Sequence, residues 1–98
     1  LPFKFSKIGR WWHKGEEIDI VALGDDKALF VEVKWREINK KEARRVVREL
    51  ERKATLLDLN VKEYYGIFAK RIKEKDELRE QGLLAWDLDD LDKATKIF

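Results

Sequence analysis

Cysteine and methionine are both absent from these 98 residues, and proline occurs once. Without thiols there is no disulfide framework and no thiolate chemistry. A chain that opens on Leu1 and holds no methionine is expected to be a piece of a longer product. Glutamine occurs once and asparagine twice, beside 22 Lys and Arg and 20 Asp and Glu, a composition like that of heat-adapted organisms. No apolar run approaches the ~20 residues of a membrane helix, and no signal-peptide core opens the chain, so a cytoplasmic protein without membrane contact is expected. The five glycines form no phosphate-binding loop.

What is present is charge, at 43%, set among 44% hydrophobic residues that include four Trp, five Phe and two Tyr. Charge at that level is far above the usual quarter or so, so the surface should be dense in ion pairs. The length suits one domain, residues 1–98, with a single modest core. The net charge of +2 hides an uneven spread. Residues 1–15 carry Lys4, Lys7, Arg10 and Lys14 without an acid, and residues 40–53 carry seven cations against Glu42, Glu49 and Glu51. Residues 74–98 reverse the balance, with eight acids against four cations. Such a pattern permits a polyanionic partner without requiring one.

Along the chain, strands are predicted from Ile8 to Trp12, Ile18 to Leu23 and Ala28 to Trp35, separated by turns at "HKGE" and "GDDK". Asn39, with Glu42 three residues on, reads as a capping box opening a helix whose apolar positions are Ala43, Val46, Val47, Leu50, Ala54 and Leu57. "VKEYYGIFA" returns to a strand, "EKDELREQG" is a short polar helix, "LLAWDL" is a last strand, and a helical segment ends the chain. The order β-β-β-α-β-α-β-α implies an α/β fold with a mixed sheet flanked by helices.

The hairpin of strands two and three poses the chemical question. If its turn is symmetric about Asp25 and Asp26, strand alternation puts Ile18, Ile20 and Ala22 with Val33, Val31 and Leu29 on one apolar face, which is expected to cover the core. The other face pairs Leu23 with Ala28, Val21 with Phe30, Asp19 with Glu32 and Glu17 with Lys34. Two acids with Cβ atoms roughly 4.5–5.5 Å apart repel unless a cation stands between them or one carboxyl is protonated. Mg²⁺ or Mn²⁺ suits such oxygen donors, with the Val33 carbonyl as a third ligand. Lys34, roughly 7 Å along the strand from Glu32, would reach a water held there. That set amounts to a hydrolytic centre for phosphodiesters. The plain alternative is a solvated sheet end in which Lys34 neutralises two acids.

Asp19 in "EIDIV" followed by Glu32 to Lys34 in "VEVK" resembles the D…ExK signature of the PD-(D/E)XK nuclease superfamily, which includes restriction enzymes and archaeal Holliday junction resolvases. The longer string "KIGRWWHKGEEIDIVAL", with "VEVKWRE" and "EYYGIFAK", is similar more narrowly to the nuclease-like C-terminal domain of archaeal P-loop ATPases. The resemblance implies a restriction endonuclease-like fold whose leading helix is absent here, a Mg²⁺ or Mn²⁺ cofactor, a DNA substrate and an upstream ATPase. Ile18 replaces the proline that often precedes the aspartate. Glu17 stands in for the acid that the leading helix often brings.

Outside the hairpin, Lys40, Arg44, Arg48 and Arg52 form an i, i+4 row on the main helix, a candidate phosphate-tracking edge or simply a solvated face. Lys53 sits beside the apolar stripe and is an accessory candidate. Arg10, His13 and Lys14 form a second cationic cluster near the first turn. Trp11 and Trp12 point to opposite faces of a strand, one to the core and one to an edge, and Tyr64 and Tyr65 divide between core and surface.

Two functions follow. One is metal-dependent DNA hydrolysis, with Asp19, Glu32, Lys34 and Glu17 as catalytic residues and Asp19, Glu32 and Val33 as ligands. DNA would be gripped by Arg10, His13, Lys14, Arg44, Arg48 and Lys53. The other is a nuclease-like module without activity that docks nucleic acid or protein for an archaeal ATPase. A structural or homodimer-forming domain is a third, simpler reading.

Overall fold

The computed structural model describes residues 3–95, with side chains described for residues 3–92. Turn chemistry sets the first hairpin, β1 (Lys7–His13) with β2 (Glu16–Leu23). Lys14 and Gly15 take φ values of 50° and 81°, the left-handed pair that a two-residue hairpin turn needs. The second turn returns β3 (Lys27–Ile38) with Ile20 opposite Val31, Val21 opposite Phe30, Ala22 opposite Leu29 and Leu23 opposite Ala28. This is the register read from the sequence.

Asn39 caps α1 (Lys40–Ala54), its side chain accepting the Glu42 N–H at 2.9 Å. The carboxylate of Glu42 does not complete the box; it turns to Arg36. α1 carries the chain back across the sheet, so β4 (Lys62–Ile72) runs parallel to β3. α2 (Lys75–Glu80) and a return complete a second parallel pair, β5 (Leu84–Trp86) on β4, and α3 (Leu88–Thr95) follows. The five strands lie in the order β1-β2-β3-β4-β5, an α/β mixed sheet with flanking helices. None of the described helices is long and apolar enough to cross a membrane.

Both faces of the sheet are apolar, which corrects the expected division. α1 covers the face bearing Val21, Ala28 and Phe30, packing Leu50 and Ala54 onto them, and not the face expected from the hairpin. Each large apolar side chain buried there contributes about 1.5–3 kcal/mol relative to exposure. The opposite face carries Ala22, Leu29 and Val31 with Ile20, Phe68 and Trp86. Among the described residues it lines an apolar groove of about 480 Å³ reaching Ile8 and Leu91. Gly66 fits Trp86 against β4, since a Cβ there would stand 2.8 Å from the indole.

Ile18 also leaves its expected company. Gly9 faces Val21 and Trp11 faces Ile18, so a single residue of β1, Arg10, opposes both Asp19 and Ile20. The extra residue is a β-bulge in β2, which reverses the alternation. Ile18 therefore packs with Val21 and Phe30 on the α1 side.

Candidate functional site

The bulge and the end of the β2–β3 ladder create the site. Pairing stops at Ile20 and Val31, and beyond that point Asp19 takes over the role of a ladder acceptor. Its Oδ2 accepts the Val33 backbone N–H at 2.9 Å. Glu32 sits inward on the preceding position, only 8% exposed, beside Ile67 of β4. The carboxyls of Asp19 and Glu32 stand close enough that each shifts the other's protonation, Glu32 upward and Asp19 downward.

Burial, then the hydrogen bond and charge of Asp19, push Glu32 up to about 7, against the pull of Lys53. For Asp19 burial acts in the same upward direction. The bond from Glu32, the Val33 N–H and the charges of Arg10 and Lys34 outweigh it and hold the carboxyl below its usual range. Lys53, in the last turn of α1, places Nζ 3.3 Å from Glu32 Oε2. Lys34, on β3 two residues beyond Glu32, lines a polar groove of about 340 Å³ with Arg45, Val46 and Glu49 of α1.

Two carboxyls this close, one of them in contact with a lysine, form a donor set for a hard divalent cation. Mg²⁺ commonly takes one or two carboxylates and keeps several waters. In a strand, a residue's N–H and C=O turn to the same side, so the Val33 carbonyl shares the side of its Asp19-bound N–H. No group of three or more His, Cys, Asp or Glu side chains suited to a metal is found among the described residues. The donors are two acids and backbone, which suits such a cation without enclosing it.

The remaining sequence candidates separate. Glu17 is not opposite Lys34: it faces Trp12 of β1, and its carboxylate takes Arg10 at 3.0 Å. Pairing with β1 and the bulge draw it away from β3. Arg10 is thus held beside Asp19, not in a free cationic cluster. His13 and Lys14 lie at the hairpin turn, with the His13 ring 6.2 Å from that of Trp11. Arg44 donates to Gln81 through Nε and a terminal nitrogen, at 3.1 and 2.8 Å. Arg48 is exposed beside it in a groove shared with Gln81. Lys53 alone of the helix candidates reaches the acids.

The row on α1 is partly engaged. Lys40 is held by Glu77 and Glu74, and Arg52 by Glu49 and by Glu16 at 2.8 Å. Trp11 packs on the α1-side core while Trp12 is 70% exposed, as expected. Tyr65 and Tyr64 both pack, on opposite faces of the sheet, so neither is a free surface residue.

Sequence reasoning missed a second buried polar cluster. Asp87 accepts the Ile72 N–H at 3.2 Å and the Asp89 N–H at 3.1 Å, while Lys75 bridges Asp87 and Asp90 at 3.0 and 3.1 Å. The spacing of Asp87 and Asp90 before a helical run was its available signal. Its groups are mutually satisfied, and it ties α2 and α3 to β4.

A family described as archaeal and bacterial proteins of unknown function, DUF234, matches residues 1–46. An uncharacterized protein of Methanocaldococcus jannaschii is 48% identical over 93 residues, 92% of this chain and 20% of that protein. The chain thus spans about a fifth of that relative's length. Among solved structures, a repair endonuclease from Pyrococcus abyssi matches 84% of this chain and 38% of its own, at 15% identity and a TM-score of 0.49.

Proposed function

We propose that this chain is a metal-dependent nuclease domain of the PD-(D/E)XK type that hydrolyses DNA phosphodiesters. The observation that carries the reading is the meeting of Asp19 and Glu32, whose carboxyls shift one another at the mouth of β2 and β3 with Lys34 two residues on. Asp19, Glu32 and the Val33 carbonyl would hold Mg²⁺ or Mn²⁺. When bound, the cation acidifies water and draws charge from a phosphoryl oxygen. Lys34 orients the attacking water from the polar groove and donates to the phosphoryl oxygen. Asp19 is kept ionised by the Val33 N–H and by Arg10 and Lys34, and so is ready to coordinate at neutral pH. Glu17 acts through Arg10, setting how much of that charge reaches Asp19.

A second reading has its own support. The M. jannaschii relative is about five times longer than the matched stretch, so an inactive docking module within a longer P-loop ATPase accounts for the same surface.

Nicking of supercoiled plasmid with Mg²⁺ or Mn²⁺ separates the two. Cleavage by the wild type, abolished in Asp19→Ala and reduced by at least about a hundredfold in Lys34→Ala, is the expected result. Wild-type protein that retains DNA and never nicks it, at any metal concentration, supports docking.

A further inference from the structure

A fixed cation already stands at the carboxyl pair. Lys53 Nζ contacts Glu32 Oε2 at 3.3 Å, with the two side chains 14% and 10% exposed. That ammonium sits on the acid that a divalent ion would need. Two cations on one half-buried carboxyl repel far more than they would in water. Lys53 and a metal are therefore in competition for Glu32.

The ammonium has another acid within reach. Glu49 lies four residues earlier on α1, the order and spacing at which Glu and Lys meet on a helix. The charge of Lys53 is among those that hold the Glu49 carboxyl below its usual range, after the hydrogen bond and charge of Arg52. Glu49 also lines the polar groove with Lys34.

We propose that Lys53 is the displaceable counter-ion of the Asp19–Glu32 pair, which contacts Glu32 in the metal-free protein and withdraws toward Glu49 when a divalent cation binds. The inference rests on the metal-site reading above. Its consequence is that Lys53 sets metal affinity from outside the ligand set, opposing entry, whereas a lysine that merely props Glu32 would aid binding. Glu49 and Lys53 are positioning residues in this scheme.

Mn²⁺ binding to the full chain at pH 8.5, read from the electron paramagnetic resonance signal of the free ion, tests it. Lys53→Met, which keeps the apolar stem, should bind Mn²⁺ at least about tenfold more tightly than the wild type. Glu49→Gln, an exposed change that also loosens the Arg52 pair while Glu16 still holds that arginine, should bind about threefold more weakly, because the ammonium has lost its destination. Asp19→Asn should abolish binding. Lys53→Met that binds no tighter than the wild type overturns the inference and leaves the metal site standing. So does unchanged affinity in Glu49→Gln, which decides the matter if Lys53→Met fails to fold. Absence of Mn²⁺ binding in wild type and variants alike removes the metal reading and the inference together.

Discussion

Glu32 holds its proton up to about pH 7 because it is buried against a second acid, whereas an ordinary glutamate releases it at 4.5. The folded state therefore carries one more proton than the unfolded state between those values. Stability from this group is complete below about pH 4.5 and is lost as pH rises to about 7, on the order of 2 kcal/mol after allowance for solvent at a partly open site. Asp19, held low, works in the opposite sense and in a separate window, losing its contribution only as pH falls below its ordinary 3.8. The melting temperature of the wild type should accordingly fall relative to Glu32→Gln between pH 4.5 and 7.5, and the Glu32 carboxyl ¹³C resonance should titrate near 7. A midpoint near 4.5 would show that the two acids do not share a proton. That Asp19 and Glu32 meet was legible in the sequence, because strand alternation and an apolar run leave few registers. The arrival of Lys53 was not, because the roll of α1 over the sheet depends on packing of Leu50 and Ala54 that no local pattern states.

Elements are held together here by groups that a strand or helix pattern does not foretell. "LLAWDL" reads as one strand, yet β5 stops at Trp86 because Asp87 turns inward and starts α3. Its carboxylate, in a residue 3% exposed, joins the end of β4 through the Ile72 N–H and α2 through Lys75. Burial pushes Asp90 up, but the Asp87 N–H and the charges of Arg79 and Lys75 outweigh it and hold the carboxyl well below its usual range. Asp87→Ala leaves Lys75 with Asp90 alone and orphans a buried N–H, so it should cost about 3 kcal/mol, read as a lowered urea midpoint with an unchanged slope. A loss under about 1 kcal/mol would mean that the cluster is decorative. The bulge in β2 was equally hidden. "EIDI" alternates as a regular strand does before Val21 breaks the pattern, and the pairing with β1 and the α1 core make Ile18 share a face with Val21.

Across the whole molecule, part of the uneven charge counted from the sequence is spent within the fold, Arg10, Lys40, Arg52 and Lys53 each meeting an acid. The cations of the α1 row reach partners far along the chain, Arg44 at Gln81 and Lys40 at Glu77, each 37 residues away. Such pairs are invisible to i, i+4 reasoning, which saw only four like charges in a row. Near the acids, Arg10 is held by Glu17, Lys53 by Glu32 and Arg52 by Glu49 and Glu16. A duplex approaching this face would find Lys34, Arg45 and Arg48 without an ion pair among the described residues, about three cations ready to replace its counterions. Because log affinity falls with log salt in proportion to the phosphates neutralised, the slope measured by fluorescence anisotropy of a labelled duplex from 50 to 200 mM salt should be no steeper than about −3. Arg44→Ala should leave that slope unchanged, whereas Arg48→Ala, which removes an exposed cation, should flatten it by about one. A slope steeper than about −6 would mean that the internal ion pairs open on DNA. The cationic row would then be a phosphate track after all, assembled only when the polyanion competes its cations away from Glu77, Glu49 and Glu16.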